Sequence, residues 1–179
     1  MSLSPAKAVI LENLLLNGNP VKPAQIAKET GNQLNSTMMH LIWLVRAGYA
    51  VAPEKGQYTI ADKGKQVLGI PETTKDIAAS ILTKSQKEKA FHFYSDVGKP
   101  LNLYADGIRD FLEKLPRVTV QSLEFHLSRG DFENWFEGIG DIETSKKLAL
   151  LKKKLVGEQL RERLQEIVAS RCAALSKLL

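Results

Sequence analysis

The sequence predicts a mainly α-helical protein in two parts: three helices and a two-stranded hairpin over residues 1–70, then an all-helical bundle over 71–179. Apolar residues recur at three- and four-residue spacing through most of the chain, the period of helices with one buried face. Pro and Gly fall where helices start and stop, as at Pro5, Pro23, Gly31 and Gly48. Between Tyr49 and Ile60 the helical pattern gives way to two short runs flanking a Gly-containing turn.

Ser4-Pro5 opens the first helix, because Ser suits the cap position and Pro at the first helical position gives up no hydrogen bond. That helix turns Val9, Ile10, Leu11 and Leu14 inward and stops at Gly18-Asn19-Pro20. A second helix runs from Pro23 to Thr30-Gly31, where Gly31 supplies the left-handed residue that ends a helix. Residues Asn32 to Asn35 lead into a third helix that ends at Ala47-Gly48, with Leu34, Leu41 and Leu44 serving the core. Two helices joined by a short Gly-containing turn make a helix-turn-helix. Tyr49 to Ala52 and Gln57 to Ile60 read as strands around the turn Glu54-Lys55-Gly56, and one more helical turn follows from Ala61 to Leu68.

The order of Leu44-Val45-Arg46-Ala47-Gly48-Tyr49, Gly56-Gln57-Tyr58-Thr59-Ile60, Lys63-Gly64 and Leu68 resembles the winged-helix fold of prokaryotic and archaeal transcription regulators. The stretch Val21 to Gly31 is similar to that family's second helix, and the resemblance covers residues 4–69. It implies that the third helix enters the major groove of double-stranded DNA, where base edges are distinguishable, while the wing meets the phosphate backbone. Carried onto this sequence, the resemblance places Gln33, Asn35, Ser36, Met39 and His40 at the start and outer face of the reading helix. Lys22 and Lys55 become phosphate contacts. Asn35 and Ser36 suit helix caps equally well, and a turn lysine is often only a solubilising charge. The third helix is also apolar nearly all round: from Met38 to Val45 only His40 is polar. Met39, Ile42, Trp43 and Val45 therefore have surface to hide, under either the second domain or a partner subunit, and with the long last helix this predicts a homodimer.

Whole-chain features narrow the classes. The net charge is +5, and residues 1–70 hold 7 Lys and Arg against 4 Asp and Glu, while the rest holds 18 against 16. This balance permits nucleic-acid binding without requiring it. The longest apolar run, Leu41 to Val45, is far shorter than the roughly 20 residues of a membrane helix. No signal-like stretch follows the N-terminus, and the lone Cys172 has no intrachain partner, so a cytoplasmic protein is expected.

Beyond the junction Ile70-Pro71-Glu72-Thr73 every segment reads helical. Thr73 or Thr74 starts a helix through Leu82, and Ser85-Gln86-Lys87-Glu88 has the form of a capping box launching Ala90 to Tyr94. A loop from Ser95 to Asn102 precedes helices over Leu103–Leu115 and Val120–Ser128. Asp131 and Asp141 are expected to cap the next two, and the last runs from Glu158 almost to Leu179 with an inward stripe of Leu160, Leu164, Ile167, Val168, Leu175 and Leu178. Lys152-Lys153-Lys154 reads as a solvated helix face.

Ser122 to Trp135 is the densest polar and aromatic cluster in the chain. With Phe91-His92-Phe93-Tyr94 and Arg171, it resembles a family of uncharacterised helical domains of archaeal type over about 90–175, which implies a fold and no activity. Glu124, His126, Arg129 and Asp131 are residue types that build sites. Glu124 and His126 sit two apart on different helix faces, and no metal-ligand spacing of the HExxH or CxxC kind occurs. Gly138-Ile139-Gly140 lacks the preceding strand of a nucleotide loop. The bland reading has Asp131 as a cap, Arg129 paired to a carboxylate and His126 hydrogen-bonded between helices. No catalytic residue, metal or cofactor is assigned. The leading expectation is a DNA-binding regulator whose helical part dimerises or senses an effector of unassigned chemistry. Its rival is a protein–protein adaptor whose winged helix no longer binds DNA. An enzyme centred on His126 and Asp131 is a third reading, and it requires an open cleft there.

Overall fold

The computed structural model describes residues 3–152 and 155–179. They fall into two compact units, divided between Glu72 and Thr73. No helix among the described residues is long and apolar enough to cross a membrane.

The first unit holds helices α1 (Pro5–Asn17), α2 (Pro23–Thr30) and α3 (Leu34–Arg46), strands β1 (Ala50–Glu54) and β2 (Gln57–Ile60), and the short α4 (Asp62–Val67). Each of the first two helices starts on a proline and ends on a left-handed glycine, Gly18 or Gly31. Ile10, Leu11, Leu14, Val21, Ile26, Leu41, Leu44 and Ala50 close one hydrophobic core. Val9, expected inside, is exposed, because the buried side of α1 runs through Ile10, Leu11, Leu14 and Leu15 and leaves it outside. The strands pair antiparallel, with Glu54 opposite Gln57 and a register break after Val51. Pro53 lies in that break, where its missing N–H costs no ladder bond. Val21, between α1 and α2, exchanges two backbone hydrogen bonds of 2.9 Å with Tyr58 and adds a one-residue third strand to the hairpin.

The second unit is mainly helical but not all-helical. After α5 (Lys75–Leu82) and a single 3₁₀ turn at Lys87–Lys89, the chain forms strands β3 (Phe91–Asp96) and β4 (Lys99–Ala105). The expected helix at Ala90 to Tyr94 is therefore a strand. Phe91 and Phe93 are buried while His92 between them is exposed, a period of two that no helix has. The capping box does not form either: the Ser85 N–H and hydroxyl both donate to the Asp106 carbonyl, at 2.6 and 2.9 Å. Because β4 takes up Lys99–Ala105, the next helix, α6 (Ile108–Lys114), begins later than expected. Helices α7 (Val120–Arg129), α8 (Asp131–Gly138), α9 (Ile142–Leu151) and α10 (Gly157–Ser176) complete the unit. The last of these packs against α5, α6, α7 and α9 and buries Leu160, Leu164, Ile167, Val168 and Leu175, whereas Leu178 is exposed.

One charged network is buried in this unit. Arg171 on α10 donates through Nε to Asp141 Oδ1 at 2.9 Å and through Nη1 to Glu143 Oε2 at 3.1 Å. Its Nη2 reaches the Thr73 hydroxyl at 3.3 Å. Lys147 takes the other oxygen of Glu143 at 2.8 Å, and the Thr144 hydroxyl donates to Asp141 Oδ2 at 2.6 Å. Asp141 thus caps α9 as expected and holds Arg171 besides. Two cations balance two anions, the arrangement in which buried charge is tolerated.

Candidate functional sites

Two places warrant attention, one in each unit. In the first unit α3 turns Thr37, Leu41 and Leu44 inward. Thr37 takes the core position expected for Leu34, its hydroxyl satisfied by the Gln33 carbonyl at 3.1 Å, while Leu34 is 48% exposed. Trp43 and Val45 pack partly onto the core, with Lys7 Nζ lying 4.4 Å from the Trp43 ring centre. Met39, 69% exposed, and Ile42 remain on the outer face, so α3 is not buried all round. Spacing puts Asn35, Met39, Ile42 and Arg46 along one outward stripe.

The predicted DNA-contacting residues fall as follows. Lys22 is the exposed residue before α2, and Lys55 is exposed in the hairpin turn beside Gly56. Gln33 precedes α3; Asn35 and Ser36 lie in its first turn; all three are exposed. None of their side chains caps the helix or makes a hydrogen bond among the described residues. His40 is half-buried.

In the second unit α7, α8 and β3 converge on His126, which is 3% exposed. Both ring nitrogens are engaged: Nε2 accepts the Tyr94 backbone N–H at 2.8 Å, and Nδ1 faces Asp131 Oδ2 at 2.8 Å. Accepting at Nε2 places the proton of the neutral ring on Nδ1. Burial pushes the imidazole below its ordinary pKa of 6.5, and the Asp131 hydrogen bond opposes this only in part. Arg129 donates Nε to the same Asp131 oxygen at 3.2 Å and lies 5.0 Å from the Phe125 ring centre. Asp131 does not cap α8. Gly130 occupies the cap position, and the Asp131 carboxylate turns back to His126 and Arg129. Behind the dyad, Phe91, Phe93, Phe111, Phe132 and Trp135 pack as an aromatic cluster, with Phe91 4.8 Å from the imidazole centre.

A cleft of about 330 Å³ opens beside this dyad, lined by Phe91, Tyr94, Phe125, His126, Arg129 and Asp131 and lipped by the β3–β4 turn. Glu124 does not take part. It accepts the Gly157 N–H at 2.8 Å at the start of α10. Lys152 follows α9 rather than lying on a helix face and pairs with Glu133 at 3.5 Å; Lys153 and Lys154 lie outside the described residues. No group of three or more His, Cys, Asp or Glu among the described residues is placed to hold a metal ion.

The Tyr94 N–H and the hairpin turn are the parts of this site that sequence reasoning missed. The alternation of Phe91, His92 and Phe93 and the Gly98 turn were the available signals. No family model, curated protein or solved structure matches this chain.

Proposed function

We propose that residues 1–72 form a winged helix-turn-helix that binds double-stranded DNA through α3, in a transcriptional regulator whose second unit dimerises or senses a ligand. The observation that carries this reading is the outer start of α3, where Gln33, Asn35 and Ser36 are exposed and unengaged. Asn and Gln pair with adenine edges and Ser with several bases, whereas a side chain already spent on a cap is not free to read. The Val21–Tyr58 pairing supports the wing by fastening the hairpin to the segment before α2. The concentration of positive charge in residues 1–70 fits the same reading.

Titration of a fluorescently labelled random duplex tests it. Binding at 50 mM salt that weakens steeply towards 200 mM is expected, because each phosphate contact adds about 0.9 to the slope of log affinity against log salt. Lys55→Glu lowers affinity for every sequence, whereas Asn35→Ala mainly blurs sequence preference. No binding at low salt overturns the reading.

The exposed apolar residues Leu34, Met38, Met39 and Ile42 favour the second reading, an adaptor that docks α3 on a protein. The homodimer of a regulator, which reads two half-sites, pairs through another surface, because the outer face of α3 is given to the groove. A monomeric mass by light scattering at micromolar concentration counts against the dimer. In the second unit the reading is binding rather than catalysis. Both His126 nitrogens are spent on Tyr94 and Asp131, which leaves neither free to take a proton from a substrate.

A further inference from the structure

We propose that the cleft beside His126 binds a planar, uncharged nitrogen heterocycle of nucleobase size through a donor–acceptor edge made by Arg129 and Asp131. This inference concerns the second unit alone and stands whether or not the first unit binds DNA.

The volume falls near the lower end of small-molecule pockets, about 300 Å³. Phe91, Tyr94 and Phe125 supply aromatic walls, which suit a flat ring because every planar heterocycle has a face to stack. The charges in the lining are already matched. Asp131 is paired with Arg129, and Asp96 accepts from the Val97 N–H at 2.8 Å and from Lys99 at 3.1 Å. A carboxylate ligand would meet Asp131, and an ammonium ligand would meet Arg129. Neither sign of net charge is selected.

What remains unspent is a donor and an acceptor whose net charges already cancel. Arg129 uses only Nε, so Nη1 and Nη2 have no partner among the described residues. Asp131 uses only Oδ2, so Oδ1 has none either. The two side chains are 51% and 28% exposed, so both reach the cleft mouth. The 3.2 Å Nε–Oδ2 contact fixes donor and acceptor side by side, and His126 holds the carboxylate from beneath. A lactam or amidine edge, with a carbonyl or ring nitrogen next to an N–H, satisfies both at once. A plain aromatic satisfies neither and leaves polar groups desolvated, which is costly. His126 has no free nitrogen and serves as a positioning residue.

The test is calorimetric titration of the full chain with hypoxanthine and cytidine, alongside benzoate, tyramine and indole. Saturable binding of hypoxanthine or cytidine, with no binding of benzoate, of tyramine or of indole, whose ring N–H has no acceptor beside it, is the expected result. Equal or tighter binding of benzoate, tyramine or indole overturns the proposal, as does no heat from hypoxanthine or cytidine at millimolar concentration. Arg129→Gln, at an exposed position, should melt as the parent does and bind about tenfold more weakly, the loss of one good hydrogen bond. Parental affinity in that variant overturns the proposed edge. If the variant melts early, the decision passes to the unmodified protein by NMR. The Arg129 Nε–H and Tyr94 N–H signals shift on adding hypoxanthine, and their constancy overturns the proposal. A ten-residue single-stranded oligonucleotide separates sources of the ring: tighter binding than the free base assigns the cleft to a strand, weaker binding to a free heterocycle.

Discussion

The backbone N–H of Tyr94 donates to His126 Nε2 at 2.8 Å, and this one bond fastens the middle of β3 to α7. A protonated imidazole carries hydrogen on both nitrogens, so protonation breaks that bond and leaves a donor facing a donor. Asp131 and Arg129 are the charged groups beside the ring. Asp131 favours the cation and Arg129 opposes it, while burial, the largest influence, disfavours it.

The folded pKa of His126 therefore lies below the unfolded value, and the sign of the pH dependence follows. Above about 6.5 neither state carries the proton and the contribution to stability is complete. As pH falls from 6.5 through the folded pKa, the unfolded chain takes up a proton that the folded one does not, and stability drops. Urea unfolding between pH 8 and 5 should show this fall, and His126→Gln should remove that part of it. Parallel profiles for the two proteins would refute the assignment.

Asp131→Ala should destabilise the second unit by about 1–3 kcal/mol, through the partners it abandons and not through a lost cap. Asp131→Asn keeps an oxygen that can accept from His126 Nδ1–H and should cost much less. Thermal melts of both variants check the difference. Equal losses would mean that the negative charge, rather than the acceptor, matters.

Arg171→Met should cost about 3–5 kcal/mol, because it strands Asp141 and Glu143 in a buried site with only Lys147 to balance them. Denaturant titration measures this directly. A loss below about 1 kcal/mol would indicate that water enters and solvates the carboxylates.

Gly64→Ala should destabilise the first unit by about 3 kcal/mol, the upper end of the usual cost of overpacking. A Cβ there would lie 2.1 Å from the Tyr49 carbonyl oxygen, and it would meet Ile60 Cγ1 at 3.0 Å and Leu11 Cδ1 at 3.1 Å. The nearest obstacle is backbone, which cannot swing away, so overpacking falls on the α4–hairpin junction. Fluorescence of Trp43, in a Trp135→Phe background, should report unfolding at lower denaturant.

The first unit was largely legible because its punctuation is local. Prolines open α1 and α2, glycines close them, and the hairpin strands lie two residues apart. The exceptions are Val9 and Leu34, which are exposed, and Thr37, a polar residue that enters the core because its hydroxyl has a carbonyl one turn back. The second unit was less legible because its determining contacts are distant. Tyr94 and His126 are 32 residues apart, and Arg171 meets partners 28, 30 and 98 residues away. A short aromatic run such as Phe91 to Tyr94 is also compatible with either period, and the capping-box pattern of Ser85 to Glu88 favours a helix in the sequence alone. Asp131 looked like a cap because it follows a glycine at a helix start. Its carboxylate instead found a buried imidazole five residues behind it.

Arg171 also reaches Thr73, so the opening residue of the second unit is tied to its closing helix. Neither end can peel away alone without exposing charge. The unit should then lose its structure in a single step, with amide exchange in α5 and α10 governed by the same opening free energy. A contact between residues 98 apart also raises the unit's contact order, and refolding should be slower than a helical content this high suggests.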